Sequence, residues 1–69
     1  MAHITFTKIG DWYESFDEVA ILVSKELQIT LQKTPARLGE PRPLCGVPYH
    51  AIYNRVAELE SLGHTVTVA

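Results

Sequence analysis

Sixty-nine residues suffice for one small domain, 1–69, and no more. A hydrophobic share of 46% with 20% charged residues excludes a disordered chain, which needs low hydrophobicity and high net charge. Six Lys/Arg against eight Asp/Glu leave a net charge of −2, the wrong sign for a protein held on nucleic acid mainly by neutralising phosphates. No stretch approaches the roughly 18 apolar residues of a membrane span. The N-terminus lacks the basic and apolar regions of a secretion signal. The single cysteine, Cys45, has no internal disulfide partner, which fits a reducing, cytoplasmic setting.

In chain order, residues 3–9 alternate, with Ile4, Phe6 and Lys8 on one face and Thr5, Thr7 and Ile9 on the other. That pattern predicts a strand, interrupted by Gly10. Asp11-Trp12-Tyr13-Glu14 has the Asp-x-x-Glu spacing of a capping box and predicts a helix start. The apolar residues Phe16, Val19, Ala20, Val23 and Leu27 then form one helical stripe. Asp17 and Glu18 suit the positive end of its dipole.

Residues 29–33 alternate again as a short strand. Residues 34–44 read as a loop, because Pro35, Gly39, Pro41 and Pro43 oppose regular structure. Gly46-Val47-Pro48 introduces a second helix, with Pro48 in its first turn. Tyr49, Ile52, Val56, Leu59 and Leu62 form its buried stripe, and Gly63 its C-terminal cap. Residues 64–68 alternate as a last strand. The predicted order is β-α-β-α-β, an α/β (α+β) domain with a mixed sheet covered by two helices.

Enzymatic chemistry has little support. His3, His50 and His64 with Cys45 lack zinc-ligand spacing, and no glycine-rich phosphate loop is present, so no cofactor or metal is expected. Cys45 and His50 could form a nucleophile–base pair. The plainer reading makes Cys45 a small core residue and His50 a helix-start residue. Arg55 is expected to pair with Glu58 at i, i+3, and Glu40 to bond His50 across the loop.

Two separated blocks carry a resemblance. Gly10-Asp11-Trp12-Tyr13-Glu14-Ser15-Phe16 resembles the Gly-Asp-Phe-Tyr-Glu-x-Phe segment of MutS proteins. Gly39-Glu40-Pro41-x-Pro43 followed by Gly46-Val47-Pro48-Tyr49-His50-Ala51 is similar to the second block of the same family, in register with the first. The chain thus resembles the N-terminal mismatch-recognition domain of that family, domain I, from about Phe6 onward. The family domain continues beyond the strand in which residue 69 falls, so the resemblance implies a shortened version.

The resemblance implies a non-catalytic DNA-binding module in which Trp12 enters the minor groove at a mispair and stacks on a base, while Glu14 bonds that base. Tyr13, pointing the other way, belongs to the core. Lys8, Lys33, Arg37 and Arg42 would flank the wedge and touch phosphates. Read without the resemblance, Trp12 covers the sheet end, Glu14 caps a helix and the four cations are scattered surface charges. Trp12 departs from the family's usual Phe, being larger and carrying an N–H donor. The implied partners are mismatched or distorted duplex DNA, bound weakly by the isolated domain, and other domains of a larger protein such as one of a mobile element; no membrane is involved. A protein-interaction or scaffold module that keeps the fold without binding DNA is the alternative.

Overall fold

The computed structural model describes residues 2–69. A mixed five-stranded sheet carries both helices on one face, where they touch each other. The strands are β1 (His3–Ile9), β2 (Trp12–Phe16), β3 (Gln32–Lys33), β4 (Pro43–Pro48) and β5 (Thr65–Val68). The helices are α1 (Asp17–Leu27) and α2 (Ile52–Ser61), with short 3-10 turns at Ala36–Leu38 and Tyr49–Ala51. The spatial order is β3-β4-β2-β1-β5. Only the β1–β5 pair is parallel, and β1–β2, β2–β4 and β3–β4 are antiparallel.

The mixed sheet and two helices agree with the sequence pattern, but the order gains two strands, becoming β-β-α-β-β-α-β. The first is β2, where a helix start was expected. Trp12 to Phe16 alternates, with Tyr13 and Ser15 turned toward the core and Trp12, Glu14 and Phe16 away from it. Bulky aromatic residues favour that pleated geometry, and Gly10 makes the hairpin possible. It is the first of two turn residues between the paired Ile9 and Trp12, and its φ of 60° suits a type II′-like turn. No Asp11–Glu14 capping box forms, and α1 begins instead at Asp17.

The second is β4. Gly46, Val47 and Pro48 end this strand rather than start a helix, and Tyr49 opens the 3-10 turn leading into α2. Cys45 and Val47 alternate into the core between Leu44, Gly46 and Pro48 on the other face. Prolines at its two ends leave the interior of the ladder intact. Its partner β3 is confined to Gln32 and Lys33, so residues 29–31 lie outside the sheet. In the α2 stripe Ile52 and Leu59 are buried and Val56 packs against them, but Tyr49 and Leu62 are exposed.

The core lies between sheet and helices: Ile4 and Phe6 from β1, Cys45 and Val47 from β4, Ala20, Val23 and Leu27 from α1, Ile52 and Leu59 from α2. His64 is buried beside it and joins three segments. Its Nδ1 accepts from the Ala2 amide at 3.0 Å, so the neutral ring carries its proton on Nε2, which donates to Glu26 at 3.2 Å.

Both helices end in the same backbone motif, in which a left-handed residue turns two amides back onto the last turn. In α2 that residue is Gly63, with φ 94°, and the Gly63 and His64 amides donate to Glu60 and Leu59. In α1 the corresponding residue is Gln28, with φ 56°, and Ile29 donates to Ser24. A side chain there costs about 1 kcal/mol relative to glycine. Gln28→Gly is therefore expected to raise unfolding stability by about that amount, checked by urea denaturation.

Candidate nucleic-acid interface

The helices cover only one face of the sheet, so every side chain that alternates away from them faces outward. Three cross-strand rows define the open face. Gly46, Glu14 and Thr7 form one; Pro48, Trp12 and Ile9 lie next to it; Gln32, Leu44 and Phe16 lie on its other side. Between them is a shallow depression of about 220 Å³ lined by Trp12, Glu14, Gln32, Leu44 and Gly46.

Trp12 is 48% exposed. It stands at the hairpin end of β2, whose turn is tied to the end of the neighbouring β4 by the Tyr49 amide donating to the Asp11 carbonyl at 2.9 Å. Gly46 forms the floor. A Cβ built there would sit 3.4 Å from Trp12 Cε3 and 3.8 Å from Glu14 Cγ. A single methyl is at ordinary contact distance, whereas a branched side chain would fill the depression and push the indole. Among the described residues, the Glu14 side chain enters no hydrogen bond or salt bridge. The half-buried Glu14 thus lines the depression without a partner beside an exposed ring, and Tyr13 between them packs against the core.

The four cations do not gather around Trp12. Lys8 pairs with Tyr13 across the hairpin, so it belongs to the helix-bearing face, though it is exposed. Arg42 lies beside Phe16, four residues from Trp12 along the strand or roughly 13 Å. There it donates two bonds to Asp17, at 3.0 and 2.6 Å, and sits 5.1 Å over the Phe16 ring. Lys33 pairs with Pro43 and alternates with Gln32, so like Lys8 it belongs to the helix-bearing face, at the β3 edge; it and Arg37 in the first 3-10 turn are exposed. The expected ring of cations is thus replaced by a one-sided arrangement, because β2 and β4 lengthen the sheet and part the cations.

Arg42 has a structural task. Asp17 adopts a left-handed φ of 60° at the junction of β2 and α1, and Arg42 binds its carboxylate there. The Arg42 amide also donates to the Thr34 hydroxyl oxygen at 2.9 Å, and the Thr34 amide donates to the Arg42 carbonyl, closing the 34–42 loop. The hydrogen bond from Arg42 holds the Asp17 carboxyl below its ordinary pKa.

Other expected contacts divide. Arg55 pairs with Glu58 at 3.0 Å as the spacing predicts. Glu40 and His50 share no bond, and His50 instead packs edge-on against Tyr49. Cys45 is fully buried on the inner face, and burial pushes its thiol pKa up, which suits a small core residue rather than a nucleophile. His50 is exposed. Among the described residues no group of three His, Cys, Asp or Glu could hold a metal ion, and no helix is long and apolar enough to cross a membrane. Gln32 was missed in the sequence. Its signal was alternation, since it lies on the same sheet face as Leu44 once β3 pairs with β4.

The chain is a small α+β domain that backs its sheet with helices on one side and leaves an indole and a carboxylate on the open side. Comparison with known proteins assigns it more narrowly. The model of the family described as MutS domain I matches residues 1–69. The chain is 46% identical over 65 residues to the DNA mismatch repair protein MutS of Ruminiclostridium cellulolyticum, covering 94% of this chain and 7% of that protein. It is 48% identical over 63 residues to that of Brevibacillus brevis (91% and 7%) and 45% identical over 62 residues to that of Aquifex pyrophilus (88% and 7%). The chain belongs to the MutS domain I family, and spans less than a tenth of the length of these relatives.

Two stability experiments follow from this geometry. Trp12→Ala should cost no more than about 1 kcal/mol, while Phe6→Ala, which removes a fully buried ring, should cost about 3–5 kcal/mol; denaturant titration compares them. Asp17→Asn keeps a residue that tolerates the left-handed backbone but removes the charge. Because Arg42 depresses the folded-state pKa of Asp17, its contribution is present above the ordinary carboxylate pKa and is lost as pH falls through the lower folded value. The melting-temperature advantage of wild type over Asp17→Asn should therefore be present at neutral pH and vanish below that value.

Proposed function

We propose that this chain is a DNA-recognition module that tests duplexes from the minor groove, stacking Trp12 against a base at a mispaired or distorted step while Glu14 accepts a hydrogen bond from that base. The observation that carries the reading is the side-by-side placement of an exposed indole and an unpaired carboxylate, two residues apart on one strand of an open sheet face. Membership of the MutS domain I family, and relatives named as DNA mismatch repair proteins, support the same partner.

The energetics suit discrimination more than affinity. A ring that replaces a stacked neighbour contributes about 1–3 kcal/mol per base. Opening a base step costs a few kcal/mol, and less where pairing is already defective. Gain and cost nearly cancel at a sound step and leave a surplus at a weak one. The Glu14 carboxylate is repelled by phosphates, so it favours binding only where a base offers it a donor or a shared proton. Trp12 brings a larger ring than phenylalanine and an N–H donor, which broadens the steps it can fill.

Phosphate contacts fall to Arg37 and to Lys33 reaching round the β3 edge, since Asp17 occupies Arg42. With few cations near the open face and a net charge of −2, the isolated domain binds weakly and more weakly with added salt. In a protein the length of its relatives, other domains would supply the remaining grip. The same charge and the commitment of Arg42 favour the second reading, a protein-interaction module on the same face.

Titration of the isotopically labelled chain with matched and mismatched duplexes at low salt separates the two. Amide shifts should centre on Trp12 and Glu14 and be larger for the mismatched duplex, and Trp12→Ala should lose about 1–3 kcal/mol of binding. Absence of any shift at millimolar duplex leaves the protein-interaction reading.

A further inference from the structure

The depression beside Trp12 has a second polar wall. Gln32 lines it from the β3 side, opposite Trp12 and Glu14 and across the bare Gly46 floor. Gln32 is exposed, and among the described residues its carboxamide has no hydrogen-bond partner. β3 and β2 are separated by β4, placing their backbones about 10 Å apart, and Gln32 is displaced by two residues from the Glu14 row. A backbone separation of roughly 12 Å, shortened by two inward-reaching side chains, corresponds to a neighbouring base step rather than the base that Glu14 touches.

The two groups differ in chemistry. An ionised Glu14 only accepts, and it repels the acceptors that crowd the minor groove, purine N3 and pyrimidine O2. A carboxamide both donates and accepts. Its NH2 satisfies those acceptors, while its oxygen takes the guanine N2 amino group, the one donor in that groove. Gly46 is what lets both be used, because any branched side chain there would part Gln32 from the wedge.

We propose, building on the DNA-recognition reading above, that Gln32 is a second specificity-determining residue, hydrogen-bonding the minor-groove edge of a nucleotide next to the one on which Trp12 stacks, with a preference for guanine. It makes recognition depend on sequence around the defect as well as on the defect.

The test uses the whole 69-residue chain. The chain has two glutamines, Gln28 and Gln32, so the Gln32 side-chain NH2 pair is readily assigned by NMR. Wild type, Gln32→Leu and Trp12→Ala are titrated with a mismatched duplex, and with the same duplex carrying hypoxanthine for guanine at the steps flanking the mispair. Gln32→Leu lies on an exposed edge strand, and an unchanged melting temperature confirms its fold. The Gln32 NH2 signals should shift on binding. Gln32→Leu should bind about 3- to 10-fold more weakly, the effect of one hydrogen bond, and lose the wild-type preference for guanine over hypoxanthine. If Trp12→Ala weakens binding but Gln32→Leu keeps wild-type affinity, or keeps that preference, the role of Gln32 is overturned while the wedge stands. If wild type binds no duplex, the DNA-recognition reading falls and this one with it.

Discussion

Everything at the candidate interface depends on the pleat of β2. The strand is held between β1 and β4, and helices cover only one side of that sheet. A residue on it has two options, the core or the open face. Tyr13 and Ser15 take the first, which obliges Trp12 and Glu14 to take the second. A shift of one residue in register would bury the indole and the carboxylate and expose Tyr13. The pairings Ile9–Trp12 on one side and Trp12–Pro48 on the other oppose that shift. The site is precise because its two side chains stand on a central strand rather than a loop.

The neighbours of that strand divide the remaining work. Gly46 leaves a hollow where any other residue would place a side chain under Trp12. Gly10 supplies the left-handed turn that brings β1 back as β2. Arg42 holds Asp17 where the chain leaves the sheet for α1, and covers Phe16 on the way. That contact is well exposed, so its value lies in fixing a strained junction and closing the 34–42 loop more than in electrostatic energy. The cost is one cation withdrawn from the binding side.

On the proposed reading, affinity and discrimination are separated in this domain. Its net charge and the placement of Lys8 and Arg42 leave little electrostatic attraction for a polyanion. The open face instead offers a ring, a carboxylate and a carboxamide, groups whose contributions depend on what stands opposite them. Such a surface suits a domain that is brought to its partner by the rest of a longer protein and then reports on it. The relatives of which this chain matches 7 to 8% are proteins of that length.

The sequence alone settled the parts governed by local periodicity. The α1 stripe from Val19 to Leu27 (though not Phe16, which ends β2 on the open face), the alternation of β1 and β5 and the glycine cap of α2 were legible because each needs only its own residues. The two family blocks identified Trp12 and Glu14 as a pair. What local pattern could not decide was β2 and β4. Asp-x-x-Glu fits a capping box as well as a strand, and Gly-Val-Pro fits a helix entrance as well as a strand end. Only pairing with neighbours distant in sequence resolves those ambiguities, since a strand is stabilised by partners that its own residues do not name. The same pairing sent Lys8 to the far face, moved Arg42 to Asp17 and brought Gln32 to the wall opposite Trp12. Sequence nominated the candidate residues; which of them share a face was decided by the sheet, because strand partners are distant in the chain.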